Sequence, residues 1–171
     1  TEISGEKVFS LPGGDFTLTA KADRIDRLGD GTYSIIDYKT GASPTVRQIY
    51  AGYAPQLPLE GLMVEGGNFS GIAAGGVVSD LSYWQLKGGE EGAKISSFNI
   101  NVRAKVDVGE VIKASYDGLV RLVTTFDLEA TPYLNNPRPD NLGYGEYDHL
   151  ARPREWRGND LEQDEEGEVT L

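Results

Sequence analysis

Cysteine is absent from this 171-residue chain, and histidine and methionine occur once each. The lack of thiols excludes disulfides, zinc–thiolate sites and cysteine-ligated iron–sulfur clusters, so no iron–sulfur cluster is expected and a reducing, cytoplasmic compartment is the default. With His149 alone, any metal must be a hard, oxygen-liking one such as Mg²⁺ or Mn²⁺, held by carboxylates and carbonyls. No apolar run approaches the ~18 residues that a membrane span requires, so no membrane partner is expected. The first residues, Thr1-Glu2-Ile3-Ser4, carry neither an initiator methionine nor a signal-peptide pattern, and the chain is read as a fragment of a longer one.

Positive charge is also scarce: 16 Lys and Arg stand against 27 Asp and Glu, for a formal net charge of −11. Taken whole, that balance argues against nucleic acid, whose binding normally shows as a basic surface. Its distribution weakens the objection. Asp160, Glu162, Asp164, Glu165, Glu166 and Glu168 crowd a terminal segment without a base, and they carry more than half of the net charge. Residues 158–171 therefore read as an acidic, disordered tail behind a domain of residues 1–157. Bases gather at Lys21, Arg24, Arg27 and Lys39, and again at Arg138, Arg152, Arg154 and Arg157.

"FTLTAKADRIDR" (16–27) alternates as a strand, "GDGT" turns, and "YSIIDYK" (33–39) forms a second strand, giving a β-hairpin centred near Asp30. Ser43-Pro44 reads as the cap and first turn of a short helix over "TVRQIYAGY". "PQLPLEGLMVEG" (55–66) follows as a second helix, with Leu57, Leu62 and Met63 toward the core and Gly66-Gly67 as its stop. Strands are expected in "GGVVSDLSYWQLKGG" (75–89) and, more weakly, in "AKISSFNINV" (93–102). In "DVGEVIKASYDGLVRLVTTFDLEA" (107–130), Val111, Ile112, Leu119, Leu122, Val123 and Phe126 recur at helical spacing. Residues 131–158 read as loop with a helical turn at Tyr147–Ala151. The order implies an α/β domain with helices packed on a small mixed sheet.

Within the hairpin, residues whose numbers sum to about 60 face each other, which sets Asp23 against Asp37 and puts Lys39 on the same face. Two directly opposed carboxylates repel, and a bound divalent cation would remove that cost. Acids and lysines on a hairpin's outer face are also ordinary solubilising residues. Two features favour chemistry: Asp37 closes an apolar strand after Ile35-Ile36, and Lys39 precedes a Thr-Gly turn that a ligand can approach. Other features are read as structural. His149 is taken as a surface or packing residue, Tyr83 and Trp84 as core rather than as a base-stacking platform, and "GGDF" and "AAGG" lack the Lys-Ser/Thr of a phosphate loop.

"ADRIDRLGDGTYSIIDYKTG" followed by "PQLPLEGLM" resembles the RecB-type nuclease domain of the PD-(D/E)xK superfamily, over about Lys21 to Met63. "YDHLARPREW" is similar to the C-terminus of AddB, a subunit of the bacterial AddAB helicase–nucleases. The resemblance implies a restriction-endonuclease-like core in which Asp23 and Asp37 are metal-binding carboxylates, the Tyr38 carbonyl is a further ligand, Lys39 is the catalytic lysine and Gln56 lies close to the active centre. It further implies Mg²⁺ or Mn²⁺ as cofactor, DNA (as a single strand) as substrate, an AddA-like helicase subunit as partner, and exonucleolytic work in double-strand break repair. A catalytically inactive nuclease-fold domain for DNA binding or subunit docking is the alternative, and a small binding module unrelated to nucleases is a third. Two departures stand out: no upstream helix carrying His or Glu precedes Phe16, and a family tyrosine four residues after the glutamine is replaced by Glu60, to which no role is given. With no cysteines to clamp it, the C-terminal segment is expected to pack through Tyr147, Leu150 and Trp156.

Overall fold

A computed structural model describes residues 2–87, 93–97 and 107–133. The elements below belong to one compact unit, Thr1–Leu128; of a second unit, Glu129–Leu171, only the first residues are described. The acidic tail, the helical turn at 147–151, His149, the late arginines and the proposed packing residues Tyr147, Leu150 and Trp156 lie outside the described residues.

The described architecture is a mixed α/β fold: β1 (Ile3–Leu11), β2 (Gly14–Ala22), β3 (Arg24–Arg27), β4 (Tyr33–Lys39), α1 (Val46–Tyr50), α2 (Gln56–Glu65), β5 (Val78–Leu86), β6 (Ala93–Ser97) and α3 (Val108–Phe126). Strands β1 and β2 form an antiparallel hairpin, while β3-β4-β5-β6 form a mixed sheet in that order. β3 and β6 run antiparallel to their neighbours, whereas β4 and β5 are parallel. A parallel pair needs a long crossover, and α1 and α2 supply it.

The hairpin at Asp30 has the expected register, with Arg24 opposite Ile36 and Arg27 opposite Tyr33. Its turn is held by Asp30 Oδ1, which accepts from the Thr32 backbone N–H at 2.9 Å and from its hydroxyl at 2.7 Å. The first strand of that hairpin is not continuous from Phe16, however. It breaks at Asp23 into β2, which pairs with β1, and β3, which pairs with β4. The apolar phase shows why: Phe16, Leu18, Ala20 and Ala22 occupy even positions, and Ile25 shifts to an odd one.

Helix α1 starts two residues later than Ser43-Pro44 implies. Thr45 is the cap, in a reciprocal capping box with Gln48. Helix α2 carries Pro58 in its first turn, where a missing N–H costs little, and ends at Gly66. It lays Leu57, Met63 and Val64 onto Ile35 of β4 and Leu81 and Tyr83 of β5, each fully or nearly fully buried and contributing about 2 kcal/mol per large side chain. Asp107 caps α3 by accepting from the Glu110 N–H at 3.1 Å. Val111 and Ile112 then enter the core, and Ile112 packs so closely on Gly61 that a Cβ there would lie 2.7 Å from it. The apolar stripe does not stay buried along all of α3, since Leu122 is 55% exposed.

The turn after α2 delivers the chain to β5 through Gly67, which has φ +67° and leaves only 2.4 Å between an added Cβ and the Ala74 backbone nitrogen. Gly71, at φ +79°, has open space around it. Gly67→Ala is expected to cost about 2–4 kcal/mol in chemical denaturation, from left-handed strain plus a backbone clash, and Gly71→Ala only about 1 kcal/mol. Equal losses at the two positions would show that the clash at Gly67 is relieved for free.

Candidate active site

On β4, Ile35, Asp37 and Lys39 share one face and Ser34, Ile36 and Tyr38 the other. The first face lies under α2, so Asp37 emerges where the core ends, at the carboxyl end of a parallel strand. Open α/β sheets generally place ligands there. Asp37 is 3% exposed. Its Oδ1 accepts from Gln56 Nε2 at 2.7 Å, and its Oδ2 lies 2.7 Å from the Lys39 ammonium. Lys39 Nζ also donates to Gln56 Oε1 at 3.2 Å, closing a three-residue ring. Gln56 is the first residue of α2, so the start of that helix sets its position. The loop after β4 is tied down by Gln85 of β5, whose Nε2 donates to the Gly41 carbonyl at 2.6 Å.

Asp23 sits at the break between β2 and β3, where no ladder partner claims it, and its Oδ2 accepts from the Tyr38 N–H at 2.9 Å. The N–H and C=O of one strand residue point the same way, so the Tyr38 carbonyl also opens toward Asp23. The structure therefore brings Asp37, Lys39 and Gln56 into direct contact, with Asp23 beside them through the Tyr38 backbone.

A further acid converges here. Glu60 is 3% exposed, on the α2 face of Gln56, and its Oε1 accepts from Gln56 Nε2 at 3.3 Å. Burial, and then the negative charges of Asp37 and Asp23, push its carboxyl up to about 7, against the opposing pull of Gln56 and Lys39. The family motif assigns Glu60 no role. A signal was nonetheless present, since an acid four residues after Gln56, with only apolar residues and glycine between Gln56 and Glu65 otherwise, must share its face. The Tyr83 hydroxyl, buried on β5 opposite Asp37, is pushed up by burial and by Asp37 and Glu60. Trp84 is only half-buried on the opposite face, edge-on to Tyr38 with the Arg24 guanidinium 5.6 Å from its ring.

Cation-binding capacity follows from the donor set. Asp37 Oδ2 is buried beside the Lys39 ammonium but without an aligned hydrogen-bond donor, and with the Asp23 carboxylate next to it through the Tyr38 backbone the site offers hard oxygens. Among the described residues no three acidic or histidine side chains already form a cage. The residues fit Mg²⁺ or Mn²⁺ in the manner usual for Mg²⁺, with one or two carboxylates and the rest of the sphere from water and substrate. The nearby bases are largely engaged: Lys21 pairs with Glu2, and Arg24 with Asp26 at 2.8 Å.

Curated relatives include an uncharacterized protein of Rickettsia bellii and the uncharacterized protein RC0550 of Rickettsia conorii, each 40% identical over 63 residues. That stretch is 37% of this chain and 8% of either relative. A solved structure, that of SSO0001, matches 71% of this chain and 50% of its own with 14% identity and a TM-score of 0.37, too distant a likeness to bear on function. The sequence profile of the PD-(D/E)XK nuclease superfamily, whose members generally hydrolyse phosphodiester bonds, matches residues 1–138, and with an acid-x-lysine pair at the end of a core strand this chain belongs to that superfamily.

Proposed function

We propose that this domain is a metal-dependent deoxyribonuclease acting on single-stranded DNA, within an AddAB-like helicase–nuclease that resects double-strand breaks in the bacterial cytoplasm. The observation that carries the reading is the closed contact of Asp37, Lys39 and Gln56 on the edge of the core in a chain of a nuclease superfamily. Asp23 and Asp37, with the Tyr38 carbonyl, are the residues that would hold Mg²⁺ or Mn²⁺. When bound, the ion supplies Lewis-acid polarisation of the phosphate and neutralises charge that develops during attack. Lys39 orients the attacking water and stabilises the charge growing on the phosphorane oxygens, while Gln56 holds the lysine against Asp37. Among the described residues no helix is long and apolar enough to cross a membrane.

A second reading, a nuclease frame retained for docking a partner subunit, draws on one observation: both Asp37 oxygens are already engaged within the domain. The native full-length protein decides between them when given linear single-stranded DNA with Mg²⁺ or Mn²⁺. Chelator-sensitive cleavage that disappears in Asp37→Asn supports the nuclease. DNA binding without cleavage by wild type, unchanged by Asp37→Asn, supports the docking domain.

A further inference from the structure

We propose that Glu60 is a positioning residue of this site, whose buried carboxylate fixes which end of the Gln56 side-chain amide faces Lys39. The inference rests on the reading of Asp37 and Lys39 as the hydrolytic pair. A carboxamide has two hydrogens to donate from nitrogen and one oxygen that accepts, and a half-turn about its last bond exchanges them. Gln56 Nε2 donates to Asp37 Oδ1 at 2.7 Å and to Glu60 Oε1 at 3.3 Å, and Gln56 Oε1 accepts from Lys39 Nζ at 3.2 Å. Both hydrogens and the oxygen of the amide are thus assigned. With Glu60 ionised, the flipped amide would set its oxygen against two carboxylates and its NH₂ against an ammonium, turning each attraction into a repulsion. Asp37 alone supplies one acceptor for two hydrogens, and Glu60 supplies the second.

The setting of Glu60 supports a role of this kind. It lies on α2 among Leu57, Met63 and Val64, all fully buried, where a carboxylate is costly to keep. Its Oε2 is buried with no hydrogen-bond partner among the described residues, so the acid is not there to satisfy the core. An apolar residue would pack at that position at lower cost but would leave one Gln56 hydrogen unassigned. With the amide free to turn, Lys39 would lose the Gln56 oxygen as its second anchor and be held by its ion pair with Asp37 alone.

The test uses the full chain with Glu60→Met, Glu60→Gln, Gln56→Met and the double variant Glu60→Met/Gln56→Met. Two readouts are taken: metal-dependent cleavage of single-stranded DNA, and the rate of Lys39 methylation by limited reductive alkylation without metal, read by mass spectrometry. Glu60→Met is expected to slow cleavage by about 10- to 100-fold, as loss of a supporting partner does, and to speed Lys39 methylation by about fivefold. Glu60→Gln keeps an oxygen acceptor and should recover most of both. In the Gln56→Met background, adding Glu60→Met should change neither, because the route runs through the amide. Independent effects of the two substitutions, or a Glu60→Gln as impaired as Glu60→Met, would overturn the proposal. Should wild type fail to cleave, the nuclease reading falls, while the methylation cycle still shows whether Glu60 acts on Lys39 through Gln56.

Discussion

Lys39→Met is expected to slow metal-dependent cleavage by roughly 10³-fold while leaving the protein folded. Methionine keeps the unbranched stem and removes the ammonium with its charge and donors, so the loss reports what that group does for the attacking water and the developing oxyanion. A stability change should accompany it. The Asp37 side chain is 4% exposed and Lys39 is its counter-ion, so the variant leaves a buried carboxylate with Gln56 as its remaining close donor. Because Lys39 is 31% exposed and water can partly replace it, that loss should be about 2 kcal/mol, below the range for fully buried pairs. Asp37→Asn provides the contrast. It should abolish cleavage equally but hold near wild-type stability, since asparagine keeps an acceptor for Gln56 and removes the charge that opposes Glu60. Single-turnover rates on a labelled oligonucleotide, set beside thermal melting of both variants, separate the two effects. A Lys39→Met protein within about tenfold of wild type would remove Lys39 from the chemistry.

The part of this arrangement that lies on one strand was legible in the sequence. Period-2 alternation fixes Asp37 and Lys39 on one face of β4, and the register about Asp30 follows from the turn residues. Gln56 at the start of α2 was legible through the proline-marked helix start and the family motif together. What escaped were features set by partners distant in sequence. Strand β1 reads "ISGEKVFSL", with Gly5 and Lys7 on the inward-facing positions, so no clean period marks it until β2 pairs with it. Alternation sets Asp23 opposite Asp37 on a continuous strand, whereas the chain changes sheets there, and the freed carboxylate caps the Tyr38 N–H. Ser43-Pro44 is the more conspicuous helix start, but the reciprocal capping box of Thr45 with Gln48 satisfies two backbone donors and sets the boundary instead. Glu60 escaped for a different reason. Comparison with a family motif asks whether a residue matches, and a mismatch hides a residue whose chemistry can be read only from its helical face and its burial.

Glu60 therefore makes the second large prediction, on stability. Its carboxyl is pushed up to about 7 in the folded protein, against an ordinary value of 4.5. Between those two values the folded state keeps a proton that the unfolded chain has lost, so rising pH favours unfolding across that window. Stability should fall by about 3 kcal/mol from pH 4.5 to above pH 7 on account of this group, at ~1.4 kcal/mol per unit of displacement, and change little from it at higher pH. The groups facing it set the sign: Asp37 and Asp23 oppose its ionisation along with burial, and Lys39 and the Gln56 amide assist it without cancelling them. Glu60→Gln removes the titration and should match wild type near pH 4.5 but exceed it by about 3 kcal/mol at about pH 8, equivalent to roughly 6–12 °C in melting temperature for a chain of this size. Urea denaturation of both proteins across that range provides the check, and parallel loss of stability in the two would show that Glu60 is not the group responsible. Glu60→Met, if more stable than the natural protein at about pH 8 and weaker in holding Lys39, would mark an acid kept for geometry, since a residue retained only for packing would not destabilise the fold at the pH where the site is charged.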